Sequence, residues 1–261
     1  MIVSYFNSST VGEYAAPPGR YLDFVKPEDS QRTSAHSVVL MPYTSFPTSQ
    51  CSLVIASGTV PVGFDPKMYG CPVIAWGADV TRCAASNSDF ASVGSRLGGD
   101  GKTSHWMPCA SCLSPAFDLT IEPSCDFAFF AKPGGPLDKK SFAPSFIDNK
   151  RSSGSTRVDQ QRSISLIASA EVVITDVFHG AYWATLFNRH VVWCGKQELP
   201  FVVTTCDPED AWDVLDIVDT SSPQNPGYLR NCRRLNTHFH AHVNKLLLNK
   251  SLPDSLKPRK A

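Results

Sequence analysis

The most regular pattern of apolar and polar positions lies in the second half of the chain. It predicts a buried strand at Val172–Thr175, a short helix at Gly180–Asn188 and a second strand at Val191–Cys194. Short apolar strands joined by a helix are typical of a parallel sheet that is covered on both faces. The pattern therefore predicts a parallel strand–helix–strand unit.

A polar turn carrying Asp176 and His179 separates the first of these strands from the helix. In an open parallel sheet, ligands bind at the carboxyl ends of the strands, and the following helix offers N–H donors and a positive dipole to an anion. His179, directly before Gly180, is therefore a candidate ligand-binding residue. A structural histidine that caps the helix or bonds to a neighbouring carbonyl group would fit the same position.

Short apolar segments alternate with polar turns along the rest of the chain, which predicts an α/β protein. The further predicted strands are Ser37–Met41, Leu53–Ser57, Val73–Trp76, Ala91–Ser95, His105–Pro108 and Asp126–Ala131. Gly58 and Gly77 follow two of these strands. A glycine at a strand end indicates that the backbone turns there or that another group approaches it closely.

Helices are predicted at Val158–Ala170, from Pro208 onward and, with a single apolar stripe, at Tyr228–Asn249. The polar residues 134–156 predict a long loop. An irregular run with two prolines, residues 113–124, is typical of a domain boundary. We therefore predict two Rossmann-like halves at 1–122 and 123–250, with the amphipathic helix in the second, and a disordered tail at 251–261.

Charge and hydropathy exclude some classes of partner. Lys plus Arg and Asp plus Glu are equal at 24 each, so no overall charge attracts nucleic acid or an anionic membrane. No segment approaches the roughly 20 apolar residues of a membrane span, and the start of the chain is unlike a targeting signal. We predict a cytoplasmic protein without a nucleic-acid partner. At most it makes peripheral contact with the inner face of the membrane.

Nine cysteines, most of them within apolar segments, predict reduced thiols in the core. Cys109 and Cys112 have the spacing of half a zinc site, but no second pair follows them. His238, His240 and His242 alternate along the last predicted helix without a carboxylate at matching spacing. We predict no metal site.

Four segments resemble motifs of the polysaccharide pyruvyltransferases in the order of that family. The sequence TDVFHGAYWATLFNRHVVW, residues 175–193, is similar to its Ser-x-x-His-Gly strand–turn–helix. The other three are Asn7–Pro18, similar to an Asn-x-Gly-Asp opening; Leu53–Gly58 with Val73–Gly77, similar to Gly-terminated central strands; and Ala91–Leu97, similar to a strand that ends in arginine. The chain departs from the family pattern at Glu13, Leu97 and Val177.

The resemblance implies a glycosyltransferase-B-like fold with the acceptor on the first half and the donor on the second. It implies the transfer of pyruvate from phosphoenolpyruvate to two hydroxyls of a sugar or lipid-linked oligosaccharide. The product is a cyclic ketal, and the reaction needs no cofactor.

The implied chemistry selects particular residues. A donor with a carboxylate and a phosphate calls for a guanidinium and for helix N–H groups, which Arg96 and the helix at Gly180 supply. Proton transfer suits His179, with Asp176 or Asp118 as its partner. Gly58, Gly77 and Glu13 complete the expected substrate-binding set, with Glu13 toward the acceptor.

Other interpretations of these residues stay open. Arg96 would also fit an ordinary ion pair, and Glu13 would fit a first-turn acid that interacts with a helix dipole. The departures from the family pattern leave two alternative functions. One is a nucleotide-sugar glycosyltransferase with the same two Rossmann-like halves, and the other is a non-catalytic carbohydrate-binding relative.

Overall fold

Two parallel sheets with helices make this an α/β protein, as predicted. The computed structural model describes residues 1–6, 10–24, 38–45, 51–132, 135, 137, 146–148, 156–211, 218 and 225–248. Every strand pair within these residues is parallel. Within the same residues, no helix combines the length and the apolar character that crossing a membrane requires.

The described residues divide into two compact units. Unit 1 takes its residues from Met1–Ser8, Glu13–Ser111 and Cys232–Ala261, and unit 2 takes them from Ser9–Gly12 and Cys112–Asn231. These bounds differ from the predicted halves, because residues 9–12 group with unit 2 and most of the last helix groups with unit 1. Local sequence patterns carry no information about such long-range grouping.

Unit 1 contains the strands β1 (Ile2–Phe6), β2 (Val38–Pro42), β3 (Leu53–Thr59), β4 (Val73–Asp79), β5 (Ser92–Ser95) and β6 (His105–Trp106). They form a six-stranded sheet in the order β2-β1-β3-β4-β5-β6. All residues of β1 and β4, and all but the last of β3, are buried. Burial on both faces explains why these strands are continuous apolar runs instead of alternating ones.

We predicted no strand at β1, which lies between β2 and β3. A short segment at the start of the chain shows too little periodicity to reveal a strand, and the burial of β1 comes from its neighbours. The segment Asn7–Pro18, which resembles the opening motif of the family, contains the short helix α1 (Val11–Ala15), and a 3-10 turn follows at Pro18–Arg20.

Unit 2 contains the strands β7 (Cys125–Ala131), β8 (Phe146–Asp148), β9 (Ala170–Thr175), β10 (His190–Trp193) and β11 (Thr204–Thr205). They form a five-stranded sheet in the order β11-β10-β9-β7-β8. The helix α2 (Thr156–Ser169) packs against β7 and β9, and α3 (Phe178–Leu186) packs against β9 and β10.

Two predictions in unit 2 need correction. The helix α3 begins at Phe178 and not at Gly180, so His179 lies in its first turn. The loop predicted at 134–156 contains β8. The helix predicted from Pro208 begins with a 3-10 turn over Pro208–Asp210, and residues 212–217 of the prediction lie outside the described residues. The predicted tail at 251–261 also lies outside them.

The last helix, α4 (Tyr228–Leu248), has the predicted amphipathic character. Its buried stripe includes Asn236, whose Oδ1 accepts a hydrogen bond from Trp76 Nε1 at 2.7 Å. Asn236 Nδ2 donates to the carbonyl oxygens of Pro108 at 3.3 Å and Cys232 at 3.0 Å. The Trp76 ring also meets Phe239 edge-on, with 4.8 Å between the ring centroids. A buried amide thus fixes α4 against β4.

We expect Asn236→Leu to lower the free energy of unfolding by about 2–4 kcal/mol, because the indole N–H of Trp76 and the Pro108 carbonyl would stay buried without this partner. Thr237→Ala, on the exposed side of the same helix, should change it by less than about 0.5 kcal/mol. Urea denaturation followed by circular dichroism measures both. Similar values for the two variants would contradict the role given to Asn236.

Candidate functional site

Polar residues collect at the carboxyl edge of the sheet in unit 1. Thr59 ends β3, Asp79 ends β4 and Arg96 directly follows β5. Glu13 lies on α1 and points to the same edge, because its carboxylate bonds to Thr59. The carboxyl ends of parallel strands lie side by side, so one helix and three strands bring these groups together.

Arg96 and Glu13 form a buried ion pair at this edge. Arg96 Nη1 donates to Glu13 Oε1 at 2.9 Å, and Arg96 Nη2 donates to Thr59 Oγ1 at 2.8 Å. The second carboxylate oxygen, Glu13 Oε2, accepts the backbone N–H of Thr59 at 2.6 Å. Side-chain exposure is 4% for Arg96 and 9% for Glu13. Both terminal nitrogens of the guanidinium therefore bind groups of the protein.

The charge of Arg96 depends on its carboxylate neighbours. Burial alone would lower the pKa of the guanidinium, because it penalises the charged form. The negative charges around it, first that of Glu13 and then others including Asp79, outweigh this effect and raise the pKa. Arg96 is thus a permanent buried cation that needs Glu13 beside it.

Gly58 and Gly77 let other parts of the protein approach the strands closely. Gly58 has a φ of +69° at an irregularity in β3, and a Cβ on it would overlap Glu13 Oε2. Gly77 has a φ of +55°, and a Cβ there would lie 2.8 Å from the carbonyl oxygen of Pro108. We expected both glycines beside a substrate, but the approaching groups in the structure belong to the chain itself.

Thr59 and Asp79 also belong to this cluster, although we did not predict them as site residues. Asp79 Oδ1 accepts hydrogen bonds from the backbone N–H and the hydroxyl of Thr81, at 3.1 Å and 2.6 Å. Each missed residue follows a strand-end glycine within two positions. A polar residue one or two positions after a strand-end glycine was therefore the available signal. The predicted strands ended at Ser57 and Trp76, before these residues, whereas β3 and β4 include them.

In unit 2, hydrogen bonds fix the turn that follows β9. Thr175 Oγ1 donates to the carbonyl oxygen of Phe130 at 2.6 Å and accepts the N–H of Val177 at 3.0 Å. Asp176 Oδ1 accepts the N–H of Lys132 at 2.8 Å. The turn is thus held against the end of the neighbouring strand β7, and the Asp176 carboxylate lies at that edge.

His179 is the second residue of α3 and is only 2% exposed. Its ring meets Phe178 edge-on, with 5.4 Å between centroids, and lies 5.6 Å from the Trp183 ring. A Cβ on Gly12 would overlap the His179 ring, so the chain at Gly12 covers it closely. We expected this histidine in a turn before the helix, whereas it is packed among aromatic side chains.

Gly180 has a packing role in the structure. A Cβ at this position would overlap Thr175 Oγ1 and crowd the ring of Phe130 at 2.6 Å. Only glycine therefore lets the first turn of α3 lie so close to the end of β9. The nine-residue helix is buried throughout.

The other charged residues that the sequence singled out differ in position. Asp176 lies at the same strand end as His179. Asp118 is exposed at the end of a 3-10 turn, Pro115–Asp118, whose Phe117 packs on Phe187 just after the far end of α3, so the structure does not bring Asp118 to this edge. Two exposed lysines, Lys132 after β7 and Lys196 after β10, come from the strands on either side of β9. We did not predict either lysine as a site residue. A basic residue within a few positions after a buried strand was the sequence feature that could have identified them.

Several cysteines and one histidine of α4 bond to other groups of the chain. All nine cysteines are thiols, and burial raises the pKa of Cys109, whose sulfur accepts a hydrogen bond from Ser111 Oγ at 3.3 Å. His240 Nε2 donates to the carbonyl oxygen of Asp23 at 2.6 Å. Within the part of the chain that the structure describes, no group of three or more His, Cys, Asp or Glu side chains fits a metal ion.

No protein-family model matches the chain, and neither does any curated protein. Among solved structures, a functionally uncharacterised protein of Klebsiella pneumoniae subsp. pneumoniae is 13% identical, with a TM-score of 0.45 over 74% of this chain and 83% of that one. The wall teichoic acid polymerase TagF is 11% identical, with a TM-score of 0.45 over 95% of this chain and 88% of that one. The resemblance to the pyruvyltransferases therefore rests on sequence motifs.

We expect Arg96→Leu to lower the free energy of unfolding by about 3–5 kcal/mol, because it leaves the buried Glu13 carboxylate without its cation. The double variant Glu13→Gln/Arg96→Leu should recover part of this loss. Lys67→Ala is the control, since it removes the 2.9 Å pair with Asp89 in which the lysine is 68% exposed. That change should cost at most about 1 kcal/mol. Equal losses in Arg96→Leu and Lys67→Ala on urea denaturation would refute the importance of the buried pair.

Gly58→Ala should destabilise the protein more than Gly70→Ala. Both glycines have a positive φ, +69° and +60°, so each alanine carries a backbone cost of about 1–2 kcal/mol. Only at Gly58 does the new Cβ overlap Glu13, while at Gly70 it enters open space. Thermal unfolding of the two variants measures the difference. A Gly58→Ala variant as stable as Gly70→Ala would show that the Glu13 carboxylate moves without cost.

Proposed function

We propose that this protein is a transferase of carbohydrate synthesis that moves pyruvate from phosphoenolpyruvate to two hydroxyls of a sugar or a lipid-linked oligosaccharide. The observation that carries the proposal is the position of Asp176 and His179. One lies directly after β9 and the other in the first turn of α3. This is the place where parallel α/β sheets bind anionic ligands.

The donor needs positive charge, since it brings a carboxylate and a phosphate to the site. Lys132 and Lys196 follow the strands on either side of β9, and both are exposed. Together with the N-terminus of α3, they give the carboxyl edge of this sheet three sources of positive potential. We therefore assign donor binding to unit 2.

Ketal formation takes one proton from each of two sugar hydroxyls, adds one proton to the methylene carbon of the enol and breaks the C–O bond to phosphate, which leaves with the other proton. An imidazole can accept and donate protons near neutral pH, which supports His179 as the proton carrier. Asp176 is the carboxylate partner because it belongs to the same turn, whereas Asp118 follows Phe117, which packs beside the opposite end of α3. The chain at Gly12 covers the ring of His179 closely, so it has to move aside for a substrate to reach the imidazole.

Arg96 and Glu13 receive a different role from the one that the family resemblance implies. Both terminal nitrogens of the guanidinium bind Glu13 and Thr59. A donor at Arg96 would have to displace a buried carboxylate, which costs several kcal/mol. We assign both residues to positioning the strand ends of unit 1.

Two observations favour alternative functions. A nucleotide-sugar glycosyltransferase would suit a chain with two parallel α/β units, since mononucleotides bind at the edges of such sheets. The burial of His179 and the ion pair between Arg96 and Glu13 would suit a carbohydrate-binding protein without catalysis. Titration with nucleotide-sugars and with sugars separates both alternatives from pyruvate transfer.

We expect phosphoenolpyruvate to bind saturably in calorimetric titration of the full chain, and nucleotide-sugars not to bind. Lys132→Ala and Lys196→Ala should each weaken this binding about tenfold, which corresponds to about 1.4 kcal/mol for a lost charged contact. Lys67→Ala, which changes an exposed lysine paired with Asp89 in unit 1, should leave the affinity unchanged.

His179→Gln keeps most of the volume of the ring, so the affinity for phosphoenolpyruvate should stay within about threefold. Ketal formation should fall about 10²–10⁴-fold, as measured by mass spectrometry of candidate acceptors.

Other results would redirect the assignment. Binding of a nucleotide-sugar alone would favour the glycosyltransferase. Sugar binding without any donor would favour the carbohydrate-binding relative. Full ketal formation by His179→Gln would exclude this histidine as the proton carrier.

A further inference from the structure

Two cysteine sulfurs lie next to each other at the carboxyl edge of the sheet in unit 2. Cys194 directly follows β10, Cys206 directly follows β11, and their Sγ atoms are 3.3 Å apart. The two strands pair in parallel, with Trp193 opposite Thr205. Continuing this register by one residue places Cys194 opposite Cys206. Both side chains therefore lie on the same face of the sheet.

The backbone spacing at this pair suits a disulfide. Directly opposite residues of neighbouring strands lie about 4.8 Å apart, inside the usual Cα–Cα range of about 4.4–6.8 Å for disulfides. The sulfurs need only approach from 3.3 Å to a bond length of about 2.05 Å, which small side-chain rotations can achieve. Cys194 is buried and Cys206 is half-buried, so an oxidant in solution can reach the outer sulfur.

We infer that Cys194 and Cys206 are a modification site, a dithiol that closes to a disulfide and fastens the segment between them to the sheet. Residues 195–205 include Phe201, whose ring lies 6.2 Å from Phe178 at the start of α3. In the reduced state, the two-residue strand β11 holds the far end of this segment through few hydrogen bonds. A covalent bond at the strand ends prevents that pairing from opening.

The chemistry balances with a peroxide as the oxidant. The thiolate of Cys206 attacks one oxygen of hydrogen peroxide, forms a sulfenic acid and releases hydroxide. The thiol of Cys194 then attacks the sulfenic sulfur, the S–S bond forms, and the hydroxyl leaves as water after taking up a proton. Two thiols are oxidised, and one peroxide is reduced to two waters.

A second pair provides an internal comparison. The sulfurs of Cys51 and Cys71 are 3.5 Å apart before the starts of β3 and β4. The register that pairs Val54 with Val73 does not place these two cysteines opposite each other. The Cys194–Cys206 pair should therefore close first.

The test is peptide mapping of the full chain after limited treatment with hydrogen peroxide and alkylation under native conditions. We expect a loss of two titratable thiols from the nine, a linked peptide containing Cys194 and Cys206, and slower hydrogen exchange over residues 195–205. Cys206→Ser should abolish the linked peptide. Cys125→Ser, which replaces another half-buried thiol, should leave it intact.

Phenylarsine oxide gives a measurement that needs no oxidant, because it bridges only closely spaced thiols. It should bind the wild type and Cys125→Ser, and binding should fall by one equivalent in Cys206→Ala. The inference fails if Cys194 and Cys206 both stay alkylatable in folded, oxidised protein. It also fails if Cys51 and Cys71 link at the same or a lower dose, or if the arsenical does not distinguish the variants. None of these measurements involves phosphoenolpyruvate, so the outcome is separate from that of the proposed function.

Discussion

The buried guanidinium of Arg96 requires a carboxylate beside it, and this requirement organises the carboxyl edge of unit 1. Glu13 reaches Arg96 from 83 residues earlier in the chain, and it also binds the backbone at Thr59. The approach is possible only because position 58 has no Cβ. One ion pair thus joins α1, β3 and the residue after β5. An isolated charge there would cost several kcal/mol, so the three elements are bound to one another electrostatically.

The two sheets use their carboxyl edges differently. In unit 1, Arg96, Glu13 and Asp79 make hydrogen bonds within the protein and are buried. In unit 2, Lys132 and Lys196 face solvent on either side of a turn whose backbone is held firmly. A charged side chain that already bonds within the protein adds little to the binding free energy of a ligand. An exposed charged side chain at a rigid edge can add much more. This contrast supports our proposal that a donor binds to unit 2.

Sequence patterns predicted the α/β class, most of the strands and the amphipathic character of α4, because burial on two faces leaves recognisable apolar runs. They failed at β1, whose status as a strand depends on partners elsewhere in the chain. Among the site residues, the pattern placed Asp176 and Arg96 correctly at strand ends. It could not show that Arg96 is paired with Glu13, because a contact across 83 residues leaves no local periodicity. It also could not show that Gly180 serves the packing of α3.

The hydrogen bond between Trp76 and Asn236 bears on the order in which the protein is made. It joins residues 160 positions apart, and nearly all of unit 2 lies between them in the sequence. On the ribosome, β4 emerges long before α4, while all the strands of unit 2 are synthesised in the interval. The indole of Trp76 must wait for its amide partner until the second sheet is complete. The α4 side of unit 1 therefore stays uncovered until the whole chain of unit 2 has been synthesised.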